Sequence, residues 1–315
     1  MKYALCFPGQ GAQEVGMGKA LYEAFPSARA VFDEADDALS QHLARLIFEG
    51  PDETLKLTAN TQPAIMTTSV AALRALENEL DVKLSPACGA GHSLGEYTAL
   101  VASGVLAFRD AVDLVNKRGR WMQESAPEGV GAMAAVMGLE PADIVAVCRE
   151  VAPNEECQAA NFNSPGQVVI SGIAEYVDRA VAAAKTRGAR KAVMLNVSAP
   201  FHSTLMKPAA ERLAKVLDTI VIKDAKVPVA ANVDGQLETA ADVIKASLVR
   251  QAASPVLWIA CVRQIQAFGA ENIVEVGPGK TLTGFNRKID KAIHCENVED
   301  IPSLKKTLEF FQGGN

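Results

Sequence analysis

A serine stands between two glycines at Gly91-His92-Ser93-Leu94-Gly95, with an apolar run before it (Ala87–Gly91) and a helical pattern after it (Leu94–Ser103). A strand that passes into a helix over so few residues must turn sharply, and such a G-x-S-x-G elbow belongs on a parallel α/β sheet. The glycines are needed because the turn is strained and the helix must pack close against the strand. The turn pushes Ser93 out at the C-terminal end of its strand. There the N–H of Leu94, at the start of the helix, can face an oxyanion with the helix dipole behind it. The pattern predicts a nucleophilic serine; a plain glycine-rich β–α turn is the blander alternative.

The rest of the chain agrees with an α/β fold. Tyr3–Phe7 and Ile273–Val276 are short apolar runs, each ended by Pro and Gly, and read as buried parallel strands. Val227–Asn232 reads as another strand. Helical patterns cover Gly18–Phe25, Ala28–Leu39, Thr61–Leu80, Arg109–Gln123, Thr204–Leu217, Ala240–Ala252 and Val256–Gly269. Pro63 is expected near the start of its helix, where a missing N–H is harmless. Between about 127 and 197 the rhythm changes to strand Gly131–Met137, helix Pro141–Val151, strands Gln158–Asn161 and Gln167–Ser171, helix Ala174–Arg187 and strand Lys191–Val197. That β-α-β-β-α-β order is ferredoxin-like. At 315 residues, of which 49% are hydrophobic and 22% charged, the chain can bury a real core. The expected organisation is a large α/β subdomain, 1–126 and 198–315, with residues 127–197 as an inserted small subdomain. Phe310–Asn315 is expected to be a frayed tail.

Several functions are disfavoured. The net charge of −6 gives no overall pull toward nucleic acid or anionic membrane. The six cysteines, at 6, 88, 148, 157, 261 and 295, contain no C-x-x-C pair, which argues against zinc ribbons and thioredoxin chemistry. Met1–Gln10 lacks the apolar core of a signal peptide, and the uncharged stretch Cys157–Ala174 is too polar to span a membrane. A soluble, cytoplasmic protein is expected. Gly9, Gly11 and Glu14 do not make G-x-G-x-x-G, and Gly279-Lys280-Thr281 lacks the Walker glycine because position 274 is Val.

A serine hydroxyl needs a base. The chain has four histidines: 42, 92, 202 and 294. His92 lies inside the elbow, with its side chain expected to point away from Ser93. His42 is expected in a helix and His294 in a polar C-terminal region. His202, in Ala199-Pro200-Phe201-His202-Ser203, falls in a loop between strand and helix and follows the serine in chain order. His202 is the expected base. No acid has a spacing that marks it as a third member; Asp242 and Glu275 would be guesses.

These residues also carry a resemblance. Phe7-Pro8-Gly9-Gln10-Gly11, the elbow with Glu96, Lys117-Arg118-Gly119, Asn161-Phe162-Asn163-Ser164-Pro165-Gly166-Gln167, Phe201-His202-Ser203, Ser254-Pro255-Val256 and Glu275-Val276-Gly277-Pro278-Gly279 occur in this order. Together they resemble the malonyl-CoA:acyl-carrier-protein transacylases of fatty-acid synthesis, a family that includes the acyltransferase domains of polyketide synthases. Seven motifs in order, from residue 3 to about 288, make the resemblance specific. It implies an α/β-hydrolase-like large subdomain with a ferredoxin-like insert. It implies Ser93 as acyl acceptor, His202 as base, and the main chain of Gln10 beside Leu94 as oxyanion donors. It places a main-chain carbonyl at Gln251 against the histidine, so that position matters there more than side-chain identity. Arg118 corresponds to the arginine that reads the malonyl carboxylate; without the resemblance Lys117, Arg118 and Arg120 would read as a solvated face. A guanidinium fork suits a carboxylate, and leaving such a buried site half empty costs about 3–5 kcal/mol. Phe201 matches the malonyl-type pattern. Asn161, taken with Arg118 and Gln251 as substrate-binding, shares a hairpin with Asn163 and Gln167; these residues either line the cleft or satisfy turn backbone.

The implied reaction is ping-pong transfer of malonyl from malonyl-CoA, through Ser93, to the phosphopantetheine thiol of an acyl carrier protein, with no metal or redox cofactor. A serine esterase or thioesterase, a polyketide-pathway acyltransferase and a silent carrier-binding module are the rivals. Carrier proteins of this pathway are acidic, so docking on a net-negative chain needs a local basic rim. Lys185, Arg187, Arg190 and Lys191, and separately Arg287 and Lys288, are the candidates.

Overall fold

The computed structural model describes residues 2–127, 129–197 and 199–313. In chain order the first part contains β1 (Tyr3–Phe7), α1 (Lys19–Ala24), α2 (Pro26–Leu39), α3 (Leu43–Glu49), α4 (Asp52–Leu55), α5 (Thr58–Leu80), β2 (Cys88–Gly91), α6 (Leu94–Ala102) and α7 (Phe108–Glu124). Then come β3 (Gly131–Met137), α8 (Pro141–Val151), β4 (Cys157–Ser164), β5 (Gln167–Ile173), α9 (Ala174–Thr186) and β6 (Lys191–Met194). The last part holds α10 (Lys207–Leu217), β7 (Val229–Ala230), β8 (Leu237–Glu238), α11 (Ala241–Gln251), α12 (Trp258–Ala267), β9 (Asn272–Val276), α13 (Thr281–Ile289), β10 (His294–Val298) and α14 (Ile301–Gly313).

The strands form two sheets in a mixed α/β architecture. One has the order β10-β9-β1-β2-β7-β8 and is parallel except for β8. Its strands alternate between two cores, as period-2 geometry requires. Leu5 and Phe7 face a core with α2 and α5, while Ala4 and Cys6 face one with Trp258 and Cys261 of α12. The other sheet, β4-β5-β3-β6, is antiparallel. Ala134 and Val136 pack under α8 and α9; Met133 and Ala135 face the opposite way, toward Met122 and Phe201. Two main-chain bonds tie this sheet to the segment after α11: Phe162 N–H donates to Val256 O at 2.9 Å, and Val256 N–H to Ala160 O at 2.8 Å.

The structure corrects several expectations. The long helix begins at Thr58, so Pro63 lies inside it. Its missing N–H would have paired with the carbonyl four residues back, that of Ala59. The Asn116 side chain donates to that oxygen instead, at 2.9 Å. The strand expected over Val227–Asn232 shrinks to Val229–Ala230, because the chain after it turns back into β8. Phe310 to Gly313 belong to α14 rather than to a loose tail. Phe311 meets Tyr3 edge-on at 5.0 Å and Phe310 stacks on His294 at 5.2 Å, which anchors the helix; residues 314 and 315 lie outside the described residues. Among the described residues no helix is long and apolar enough to cross a membrane.

Candidate active site

Ser93 sits between β2 and α6 with φ 52° and ψ −106°. Such positive φ is costly for a residue with a Cβ, so the surroundings must hold it. A Cβ on Gly91 would overlap the main chain of Gly95, and one on Gly95 would overlap that of Phe7. Asn232, just after β7, staples the turn. Its Oδ1 accepts the Ser93 N–H at 2.6 Å and its Nδ2 donates to Gly91 O at 2.8 Å. In the first turn of α6, Gly95 and Glu96 N–H are taken by His92 O and Ser93 O; the Leu94 N–H has no such partner among the described residues. Leu94 and Gln10 both line the cavity on which Ser93 opens, of about 260 Å³.

His202 comes from the loop before α10, also at positive φ (57°), and is 3% exposed. Its Nε2 lies 2.7 Å from Ser93 Oγ. Its Nδ1 faces two carbonyls, Gln251 O at 3.0 Å and Ser254 O at 3.1 Å. Carbonyls only accept, so Nδ1 carries the proton and Nε2 is left as the acceptor toward the serine. Burial, reinforced by the nearby Arg118 charge, pushes the His202 pKa down to about 3. The imidazole is therefore a neutral acceptor at neutral pH.

Arg118 is the one member of Lys117, Arg118 and Arg120 turned inward: it is 2% exposed, while Lys117 pairs with Asp113 and Arg120 donates to Asn116. Its Nη2 lies 3.2 Å from Ser93 Oγ and 2.9 Å from Gln251 Oε1, and Nη1 donates to Gln62 Oε1 at 2.8 Å. The guanidinium lies over the Tyr97 ring at 5.2 Å. Its Nε is buried without a partner among the described residues.

Gln251 carries more than its expected main-chain carbonyl. Fully buried, its side chain accepts from Arg118 and donates to Ser93 O and to Glu96 Oε2, both at 3.0 Å. Asn161, Asn163 and Gln167 all line the cavity, and Asn163 Oδ1 pairs with His92 Nε2 at 2.8 Å, which turns that ring away from Ser93. The remaining candidates lie elsewhere. His42 is exposed and precedes α3 rather than lying in a helix, and His294 pairs with Glu296 in β10. Asp242 is exposed on α11; Glu275 is buried but caps α13, accepting from Leu282 and Thr283 N–H. Sequence reasoning did not single out Glu96, Asn232 or Gln62 as site residues. Glu96 stood in a quoted motif, but nothing local marks Asn232 or Gln62. Among the described residues no cluster of three or more His, Cys, Asp or Glu could hold a metal ion.

A parallel sheet thus carries a serine on a strained strand–helix turn, with a histidine nitrogen 2.7 Å from its oxygen, on the floor of a cavity in a mixed α/β protein. A family model described as acyl transferase domain matches residues 5–312. The chain is 46% identical to the malonyl CoA-acyl carrier protein transacylase of Bacillus subtilis over 315 residues, 100% of this chain and 98% of that one. It is 46% identical to that of Escherichia coli over 308 residues, 98% and 99% of the two chains. The acyl-carrier-protein S-malonyltransferase structure from Burkholderia pseudomallei superposes with a TM-score of 0.94 at 45% identity, covering 98% of this chain and 100% of that one. A malonyl-transacylase in complex with its type II PKS acyl-carrier protein superposes with a TM-score of 0.95 at 44% identity, again over 98% and 100%. The chain belongs to the acyl transferase family, among its malonyl CoA-acyl carrier protein transacylases.

Proposed function

We propose that this chain moves the malonyl group from malonyl-CoA to the phosphopantetheine thiol of an acyl carrier protein through a malonyl ester on Ser93, in the cytoplasm and without a metal or redox cofactor. One observation carries the reading beyond generic serine chemistry. Arg118 is a buried cation 3.2 Å from Ser93 Oγ whose hydrogen-bond partners, Gln62, Gln251 and Ser93, are all neutral. The carboxyl that bears on it electrostatically, Glu96, makes no hydrogen bond to it and is pushed up by burial to about 7, so the cation is only partly compensated; an acyl group ending in a carboxylate relieves that cost.

In the first half-reaction His202 Nε2 takes the Ser93 proton as Oγ bonds to the thioester carbonyl. The Gln10 and Leu94 N–H groups hold the resulting oxyanion. Its collapse breaks the C–S bond, and His202 returns the proton to the departing CoA sulfur. In the second half the carrier thiol gives its proton to His202 and attacks the ester; Ser93 leaves and is reprotonated. We assign the parallel sheet and its helices, 1–126 and 198–315, to an α/β-hydrolase-like subdomain, and 127–197 to a ferredoxin-like insert that roofs the cavity with Asn161.

Intact-protein mass spectrometry after mixing with malonyl-, acetyl- and methylmalonyl-CoA tests this. A single malonyl adduct on Ser93, discharged by holo carrier protein, is expected, with little from the other two. No adduct would overturn the reading, and rapid discharge to water would make the enzyme a thioesterase. The solved relative bound to a polyketide carrier favours a second reading, service to such a carrier, which comparing discharge by fatty-acid and polyketide carriers separates.

The carrier is proposed to dock where basic residues meet the cavity rim. Exposed Lys288 donates from Nζ to Gln167 Oε1 at 3.3 Å, and Gln167 lines the cavity. Arg190 packs beside Gly138, whose N–H bonds Gly166 O in the turn just before Gln167. Arg187 already pairs with Glu150, and Arg287 donates to Cys295 O. Reversing Arg190, Lys191, Arg287 and Lys288 to Glu is expected to raise the carrier KM several-fold and flatten its salt dependence, with acylation by malonyl-CoA changing less. An unchanged KM and salt slope would place docking elsewhere.

A further inference from the structure

Glu96 lies one helical turn beyond Ser93 on α6 and is 3% exposed. Its Oε2 accepts two bonds, from Asn232 N–H at 2.8 Å and from Gln251 Nε2 at 3.0 Å. The same Gln251 amide turns its oxygen to Arg118 Nη2 at 2.9 Å and donates to Ser93 O at 3.0 Å. The two ends of an amide differ little in shape and wholly in hydrogen bonding. Arg118 can only donate, while a carbonyl can only accept. Reversing the Gln251 amide would set its NH₂ against the guanidinium and its oxygen against Glu96 and the Ser93 carbonyl. Gln251 is fully buried, so no water could repair those contacts.

We propose that Glu96 is a positioning residue for acyl selectivity: its carboxyl fixes the Gln251 amide with the oxygen toward Arg118, and this aims the guanidinium at the acyl group on Ser93. The proposal rests on Arg118 being the partner of the substrate carboxylate. Without Glu96, only the Ser93 carbonyl would hold the Gln251 NH₂. Once that amide swings, Arg118 Nη2 loses its shorter bond, and the guanidinium keeps Gln62, the Tyr97 ring and the longer 3.2 Å contact to Ser93 Oγ, which is the atom that the acyl group occupies. The Ser93–His202 pair has its own support, because His202 Nδ1 is held by main-chain carbonyls. Loss of Glu96 should therefore harm a carboxylate-bearing acyl group far more than a neutral one.

Both bonds fall on Oε2, so a proton on Oε1, or the NH₂ of a glutamine there, leaves them in place. Burial pushes the Glu96 carboxyl up to about 7, against the pull of Gln251, Asn232 and Arg118. The neutral form is thus compatible with the same geometry, and Glu96→Gln is its mimic.

The test measures kcat and KM for acylation from malonyl-CoA and acetyl-CoA in Glu96→Ala, Glu96→Gln and Arg118→Ala, with Tm alongside. Arg118→Ala should lower the malonyl-to-acetyl ratio of kcat/KM by at least about 10²-fold. Glu96→Ala should lower it by about 10-fold or more, mainly through the malonyl-CoA KM, since a displaced binding group is the defect. Glu96→Gln should restore the ratio to within about 3-fold of the wild type. A wild-type ratio in Glu96→Ala while Arg118→Ala loses it would overturn the positioning role and leave the Arg118 reading standing. Equal losses for both acyl groups in Arg118→Ala would overturn that reading and the proposal with it. Glu96→Gln behaving like Glu96→Ala would make charge the cause and sink the amide argument. If Glu96→Ala does not fold, Gln251→Met, which keeps the main-chain carbonyl but removes the amide, must lower the ratio alike; an unchanged ratio overturns the proposal.

Discussion

Mixed with malonyl-CoA, the Ser93→Ala protein is expected to gain no acyl mass and to transfer nothing to a carrier. The proposed chemistry needs an oxygen that stands 2.7 Å from the His202 acceptor nitrogen and opens on the cavity, and alanine removes it. The thiols offer no replacement. All six cysteines are buried, and burial raises the pKa of Cys6, Cys88 and Cys261, so thiolate is scarce there at neutral pH. The fold should survive the change. Alanine and serine bear the same Cβ at φ 52°, and Asn232 holds the turn through main-chain groups. The variant should therefore melt near the wild-type temperature while showing only its unmodified mass. A malonyl adduct of normal yield on this variant would remove Ser93 from the proposed role.

The elbow was legible in the sequence because everything that makes it is local. Two glycines, an apolar run and a helical pattern within about fifteen residues leave few geometries, and steric overlap at Gly91 and Gly95 is the physical form of that restriction. His202 was legible by elimination among four histidines and by its place before a helix. Arg118 was not separable from Lys117 and Arg120 without the resemblance, since only three-dimensional packing decides which member of a basic run faces inward. Asn232 and Gln62 were not legible at all. They reach the site from 139 residues after Ser93 and 56 residues before Arg118, and no spacing rule spans such a gap.

Gln251 shows a subtler limit. A resemblance pointed to its carbonyl and implied that its side chain mattered little. The amide in fact joins Arg118, Ser93 and Glu96, a property of its neighbours rather than of the residue. The fold was least legible near its C-terminal end. β10 pairs with β9 and carries His, Glu and Asn within its five residues, so no apolar run marks it, and α14 is anchored in part by Phe311 against Tyr3 at the far N-terminus. The parallel strands β1 and β9 were legible because strands buried on both faces are nearly continuous apolar runs.

The second large effect is expected at His202. Replacing it with alanine should slow acylation by about 10²–10⁴-fold, the usual worth of a positioned base. The residue is well placed but poorly basic in the free enzyme, held down to about 3 by burial first and by the Arg118 charge second. A lowered histidine pKa means that the neutral, proton-accepting form persists as pH falls through the ordinary value of 6.5. So kcat/KM, which reports the free enzyme, should not decline across that window. Basicity must rise when the proton is actually transferred. Two features supply this: the Gln251 and Ser254 carbonyls that accept from Nδ1–H offset the developing imidazolium, and a substrate carboxylate on Arg118 cancels the second cause of the depression. The acid limb of kcat, which reports the loaded enzyme, should therefore lie at higher pH than that of kcat/KM for malonyl-CoA, and the two should converge for acetyl-CoA, which brings no carboxylate. Stopped-flow acylation and pH profiles with both thioesters measure this. A wild-type burst in His202→Ala would end the assignment of the base, and a kcat/KM that falls through pH 6.5 in step with an ordinary imidazole would contradict the electrostatic account of how that base is tuned.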